Sequence, residues 1–200
     1  MGIASIKRQP HLLGRLLLRL KVTVKYFVIL LVIMLPPSGG GALAQEVIDV
    51  AIGPEFVAPF PAIPEFTGDF SWSGLSVRGY SYTDNSTKII YSATYPLNQV
   101  NYDSSDPWGI LRSHITGSTT TYIKPRTKLF ESQYVGGSPA ITFSVMYAHP
   151  QMPQITLEKH GIVILKEGKI FRWSVTGYVG FSTIDVSSVF SSLVSRVRFK

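Results

Sequence analysis

The chain contains no cysteine, and its first 25 residues contain no acidic side chain. The first absence excludes a disulfide scaffold, a thiolate zinc site, an iron–sulfur centre, a cysteine nucleophile and a lipidated cysteine anchor. The second changes the meaning of the net charge of +7. Lys7, Arg8, Arg15, Arg19, Lys21 and Lys25 supply six of the 19 cations, which leaves 13 against all 12 carboxylates. Beyond residue 44 the chain is therefore close to neutral, and the basic stripe that would mark a nucleic-acid binder is confined to the N-terminus. No nucleic-acid partner is expected. Hydrophobic residues make up 45% of the chain, enough to build a core, so wholesale disorder is excluded too.

Behind the basic region comes a short apolar run, the ten uncharged residues from Tyr26 to Leu35. Pro36 and Pro37 stop it, Gly39 to Gly41 follow, and Ala42-Leu43-Ala44 precedes Gln45. A basic region, a short apolar core and an Ala-x-Ala site, in that order, read as a secretory signal peptide over residues 1–44. The rival is an uncleaved membrane anchor. Crossing a bilayer takes about 20 apolar residues, and recruiting the leucines from Leu12 to Leu20 would bury Arg19, Lys21 and Lys25. Each charge at the helix centre costs roughly 2.5–3.5 kcal/mol. The expectation is a secreted or periplasmic protein, held to a membrane only where this segment stays uncleaved.

Residues 45–54 read as an extended lead-in and residues 55–200 as one domain of ordinary size. Glu55–Phe60 is hemmed by Pro54, Pro59 and Pro61, which predicts an edge strand at best. Apolar and polar residues alternate from Leu75 to Tyr82, from Ile89 to Tyr95 and from Ile141 to Tyr147, the period of a strand. Asp84-Asn85-Ser86 supplies a turn between the first two. Ile155–Leu165 and Lys169–Gly177 form a hairpin through Lys166-Glu167-Gly168, where glycine permits positive φ. In its second arm Phe171, Trp173 and Val175 face one way, and Arg172, Ser174 and Thr176 the other. Asp106-Pro107 opens a helix with an N-cap and a proline in the first turn. Trp108, Ile110, Leu111 and Ile115 give that helix a rough apolar stripe, which Gly117 closes. Ser182 to Asp185 resembles a capping box with Asp for Glu. After it Val186, Val189, Phe190, Leu193 and Val194 mark one face of a helix. Arg196–Phe199 reads as a closing strand. The fold class is α+β: an antiparallel sheet with a mid-chain helix and a C-terminal helix packed on it.

Phe56-Val-Ala-Pro-Phe60-Pro61-Ala-Ile-Pro64-Glu65 resembles the opening of small exported bacterial domains of the PsbP-like fold. Further short motifs follow in that family's order. Tyr91-Ser-Ala-Thr-Tyr95-Pro96 is similar to its second strand, Pro107–Gly117 to the helix after it, and Gly136-Gly137-Ser-Pro139-Ala140 to the entry of the next strand. Lys169-Ile-Phe171 and the segment Val189–Phe199 resemble its last strand motifs. Ala62 stands where the family has glycine, and Ser195-Arg196-Val197 resembles an insertion. The fold group includes extrinsic subunits of the photosynthetic oxygen-evolving complex, a Ran-binding nuclear-transport factor and bacterial envelope proteins. The resemblance implies a layered α+β domain that binds a protein partner without catalysis, and it carries over no functional residue.

Local chemistry is sparse. His114, His149 and His160 stand on separate elements and form no helical ligand pair, so neither a metal nor a cofactor is expected. Asn101 to Asp106 lacks the glycine and terminal glutamate of a calcium loop. No serine sits in a G-x-S-x-G elbow, and the carboxylates are scattered singly. Aromatics are abundant by contrast. Trp173 and Phe171 share a strand face and read as core, whereas Trp72, Arg78, Tyr80 and Tyr82 form the candidate exposed patch. Trp, Tyr and Arg are the residues that anchor interfaces. The reading is an exported, non-enzymatic domain that binds a protein or an envelope component. The alternative is an envelope hydrolase or carbohydrate-active protein with a site assembled from distant residues. N-terminal sequencing of the exported protein is expected to start at Gln45; a full-length Met1 form retained in the membrane counts against cleavage.

Overall fold

The computed structural model describes residues 46–72, 75–99 and 105–200. Residues 1–44, read as a signal peptide, lie outside the described residues, as does Gln45. Seven strands form one antiparallel sheet in the order β3 (Glu65–Trp72), β4 (Leu75–Asp84), β5 (Ile89–Pro96), β9 (Lys169–Tyr178), β8 (Thr156–Lys166), β7 (Ser138–Ala148) and β6 (Ile123–Val135). A smaller antiparallel sheet has β2 (Phe56–Phe60) between β1 (Ile48–Ile52) and β10 (Arg198–Phe199). The helices are α1 (Pro107–Thr119) and α2 (Val186–Leu193), and a 3-10 turn, Val194–Arg196, follows the second. The domain is α+β, as expected.

The hairpin of β8 and β9 closes on Glu167 and Gly168, with φ of 49° and 72°. Positive φ at both central residues matches the right-handed twist of the flanking strands. The alternation in β9 is as predicted, yet neither face is exposed: every residue from Ile170 to Gly177 is buried. Phe171, Trp173 and Val175 belong to a core shared with β2, α2, Ile162 and Ile164. On the other side Leu111 and Ile115 of α1 pack with Ile141, Phe143, Val145, Val163 and Ile170. The sheet thus separates two apolar clusters, and its central strand serves both.

Three local readings are corrected. Phe56–Phe60 is the central strand of the small sheet and is buried throughout. Successive carbonyls of a strand point to opposite edges. The Glu55 carbonyl accepts from Lys200 N at 3.0 Å on the β10 side, so the missing N–H of Pro59 falls on that side as well. There β10 pairs only with Phe56 and Val57, and the Pro59 carbonyl accepts from Trp173 Nε1 at 3.1 Å. The proline therefore leaves no ladder bond unmade. Secondly, α1 runs through Gly117 to Thr119. Its last hydroxyls bond back onto its own carbonyls, Ser118 to Ile115 at 3.0 Å and Thr120 to Gly117 at 2.7 Å. Thirdly, the N-cap of α2 is Asp185, which accepts from Ser188 N at 2.8 Å. Ser182 instead accepts from Tyr178 N and donates to the Lys88 carbonyl.

Ile48–Ile52, within the expected lead-in, pairs along its length with β2. Asp49 is held there by Arg196 and Arg198, at 2.7 and 2.6 Å. Phe190 of α2 stacks on Trp173 with ring centroids 5.6 Å apart. Phe190→Ala and Leu193→Ala should each cost about 2–5 kcal/mol by leaving cavities. The exposed Ser191→Ala and Ser192→Ala should change stability by no more than about 0.5 kcal/mol. Urea unfolding of the four variants checks this, and equal shifts for both pairs would show that α2 is not docked through this face.

Candidate functional site

Two regions of the described chain concentrate side-chain chemistry, one at the β3 edge of the large sheet and one buried under α1. The first is the face predicted from sequence. Arg78, Tyr80 and Tyr82 lie on one side of β4, which also carries the cluster around Trp173. The side chain of Trp72 lies outside the described residues; its backbone ends β3 opposite Leu75. Between Phe66 and Gly68 the register of β3 slips, and a bulge of this kind re-aims the side chains beyond it. As a result both Phe66 and Asp69 stand opposite this face of β4, paired with Tyr80 and Arg78. Arg78 forks onto Asp69 with contacts of 2.9 and 3.1 Å. Its guanidinium also sits 5.6 Å from the centroid of Phe66, whose ring meets Tyr80 edge-on at 6.1 Å. Phe66 is 58% exposed. Tyr80 and Tyr82 are half-buried and pack on the core. The exposed part of the patch is therefore Phe66 with Arg78, and Phe66 carried no strand-like alternation to announce it.

The second region lies under α1. The register of β8 and β9 sets Lys159 opposite Thr176 and Val163 opposite Arg172, on the face that α1 covers. Arg172 is only 8% exposed, and its guanidinium lies 4.8 Å from the centroid of Phe143. Phe143 reaches that position across Gly161, where a Cβ would come within 2.6 Å of the ring. One nitrogen of Arg172, Nη1, donates to Ser118 Oγ at 3.3 Å, while Nε and Nη2 are buried with no hydrogen-bond partner. Lys159 Nζ donates to Tyr122 Oη at 3.2 Å, and the Tyr122 ring stacks on Tyr147 at 4.2 Å. Among the described residues no carboxylate pairs with Lys159 or Arg172.

That imbalance shifts the titrating groups around it. Burial, reinforced by the Arg172 charge, holds the Lys159 amine below its ordinary value. Burial alone would raise the Tyr122 phenol, but the charges of Lys159 and Arg172 outweigh it and lower the phenol. His114 of α1 is pushed down to about 4, by burial and then by Arg172. A cation taken out of water without a counter-ion is costly. Sequence reading assigned Arg172 to a polar face and did not single out Lys159, since only the register across β8 and β9 joins them.

A cavity of about 260 Å³ at the β6–β7 edge is lined by Lys124, Arg126, Met146, Tyr147, Ala148, Pro153 and Thr156; Arg126 and Met146 pair on the face away from α1, since the next residue, Thr127, bonds to Thr119 of α1. His114, His149 and His160 remain apart on α1, after β7 and on β8. Among the described residues no three His, Asp or Glu side chains gather as metal ligands, and no helix is long and apolar enough to cross a membrane.

No family model and no curated protein matches the chain. Its fold bears a weak resemblance to PsbP. The solution structure of cyanobacterial PsbP (CyanoP) from Synechocystis sp. PCC 6803 aligns over 82% of this chain and 98% of its own, with 11% identity and a TM-score of 0.48. The crystal structure of the Pseudomonas aeruginosa protein PA94, of unknown function, aligns over 66% of this chain and 82% of its own, with 7% identity and a TM-score of 0.39.

The cluster under α1 predicts an alkaline signature. In the folded state both Lys159 and Tyr122 release their protons below their ordinary values, whereas the unfolded chain keeps them. Where the unfolded state binds more protons, stability rises with pH. As the pH rises toward about 10 the wild type should therefore gain stability relative to Lys159→Met. Urea titrations of both proteins across that range measure the difference; a constant difference would show that the amine is not perturbed by folding.

Proposed function

We propose that this is an exported domain that works by binding a protein partner rather than by catalysis, with the β3–β4 face as its contact surface. The observation that carries this reading is Phe66. It is a large aromatic side chain, mostly exposed, held between an arginine and a tyrosine on the edge strand of the large sheet. Aromatic and arginine side chains in fixed positions are the usual anchors of interfaces, and Asp69 fixes Arg78 by a two-point contact. An edge strand also offers unpaired backbone N–H and C=O groups, which an extended partner segment can bond to. The occupant that suits both features is an extended stretch of another protein laid along β3.

The distribution of carboxylates supports binding over hydrolysis. Asp84, Asp106 and Asp185 accept hydrogen bonds that close a turn or cap a helix. Asp49, Glu55, Asp69 and Glu158 are paired with basic side chains. Those seven are committed to structure, and a hydrolytic acid–base pair needs carboxyl or imidazole groups aimed at one point.

Because Tyr80 is packed on the core, the informative change is Phe66→Ser with Arg78→Ala. Neither side chain is buried, so the melting temperature should stay nearly unchanged. Affinity capture from envelope extract should return a defined partner with the wild type and lose it with the double variant. Capture that survives the change, or recovery only of a second copy of this chain, would overturn the assignment.

A further inference from the structure

One group under α1 takes no part in the β3–β4 face, the amine of Lys159. Its Nζ lies 3.2 Å from Tyr122 Oη and 5.6 Å from the centroid of that ring. The Tyr122 ring in turn stacks on Tyr147. Among the described residues no carboxylate pairs with this amine, whereas Lys166 and Lys169 both contact Glu55. We propose that Lys159 is a nucleophilic amine that captures a small aldehyde as a covalent imine, with Tyr122 as the group that carries the proton.

Three observations support the assignment. The first is the surroundings of the amine. Side chains alternate along β8, so Glu158 and His160, bonded to each other at 2.8 Å, lie on the opposite face. On its own face Lys159 stands between Val145 of β7 and Thr176 of β9. Tyr122, Tyr147 and Arg172 complete that side, and His114 of α1, near Arg172, is neutral above about pH 4. None of these is a carboxylate. The second is Arg172, which cannot give up its own charge. That charge and burial together hold the Lys159 amine below its ordinary value. A lysine desolvated or set beside another cation keeps more of its amine in the unprotonated, nucleophilic form. The third is the proton path. Tyr122 Oη is within hydrogen-bond reach of the amine, and the same two cations loosen its proton. The amine lone pair forms the C–N bond as the carbonyl π pair moves to oxygen. That oxygen takes the Tyr122 proton, and the phenolate recovers one from nitrogen. The carbinolamine then loses its hydroxyl with the second N–H proton as one water, which leaves the C=N bond; nothing is oxidised or reduced. Lys159 and Tyr122 are half-buried, so a small molecule can reach the amine from solvent. A lysine that only covers apolar surface with its stem keeps its head in water, and needs neither a phenol at its amine nor a second cation beside it.

The site is separate from the β3–β4 face and stands or falls without it. Propionaldehyde with sodium cyanoborohydride, applied to the full chain at pH 7, fixes each imine as a secondary amine. Peptide mass spectrometry then reads the initial rate at every lysine. Lys159 is expected to react about tenfold or more faster than the exposed Lys124 and Lys128, since each unit by which an amine is lowered exposes about ten times more of its free base. Over a pH series the Lys159 rate should level off at a lower pH than theirs, a signature that a structural lysine would not give. Tyr122→Phe keeps a ring to stack on Tyr147 and removes only the hydroxyl. Compared at the plateau, where the amine is unprotonated in both proteins, it should slow Lys159 by about tenfold or more and leave Lys124 and Lys128 unchanged. The assignment is overturned if Lys159 reacts no faster than the two exposed lysines, or if its rate rises with pH in parallel with theirs. An unchanged plateau rate in Tyr122→Phe would overturn the role of Tyr122.

Discussion

Trp173 donates its indole N–H to the Pro59 carbonyl at 3.1 Å, and its ring stacks on Phe190 at 5.6 Å. Through these contacts one side chain of the central strand fixes both the small sheet and α2 against the large sheet. The hydrogen bond is net favourable by only about 1 kcal/mol, but leaving either buried group unpaired would cost more. Stacking and burial of the indole add the larger share. The chain ends depend on the same assembly. Residues 198 and 199 pair with β2, and Arg196 and Arg198 reach across to Asp49 on β1. Both ends of the described domain are thereby tied to the strand that Trp173 holds in place.

The opposite face of the same strand obeys a different constraint. Phe143, Val163 and Ile170 bring α1 down onto the sheet, and this closes over Arg172 and Ser174 as well. Gly161 makes room for the Phe143 ring, and that ring gives the Arg172 guanidinium its main contact. A cation–π contact compensates part of the lost hydration, and Ser118 satisfies one nitrogen. The Tyr122 phenol, which the Arg172 charge helps to lower, is a further neighbour, and no carboxylate among the described residues pairs with the guanidinium. Ser92 and Ser174, which bond to each other at 2.9 Å, illustrate the alternative: a buried polar pair that satisfies itself and leaves no residual field.

Where one face of an element decided its structure, the sequence was informative. The alternation in β4, β5 and β7 and the stripe of α2 are direct records of burial on one side, whereas β9 alternates in chemistry and is buried on both. Asp106 was identifiable as a cap because the proline after it has no N–H to lose. Besides β1, read only as part of an extended lead-in, the strands that were not recognised are β3 and β6, whose residues obey no simple alternation. β3 contains Gly68 and a register slip, and β6 carries Lys124, Pro125, Arg126 and Lys128 in the outermost position of the sheet. Pro59 suggested an edge because a central strand ordinarily needs every N–H, and only the shortness of β10 removes that need. Of the four patch residues, Arg78 is exposed, Tyr80 and Tyr82 are half-buried against the core, and the Trp72 side chain lies outside the described residues. The Lys159–Arg172 pair was out of reach, because its meaning arises from register and from the helix laid over it.

The two edges of the large sheet are consequently unlike in chemistry. At β3 the one strong cation, Arg78, is neutralised by Asp69, so what remains exposed is an aromatic ring and a row of backbone groups. At β6 Lys124, Arg126 and Lys128 are exposed, no carboxylate among the described residues pairs with them, and the strand departs from regular pairing between Ile123 and Arg126. Open edges invite association, and nature blocks them with charge, bulges or cover. β6 has the charge, and β3 has a bulge that rotates Phe66 outward instead of hiding it. An edge that is left attractive and an edge that is left charged place different demands on whatever meets them. The first leaves backbone groups open to pairing; the second resists the approach of a further strand.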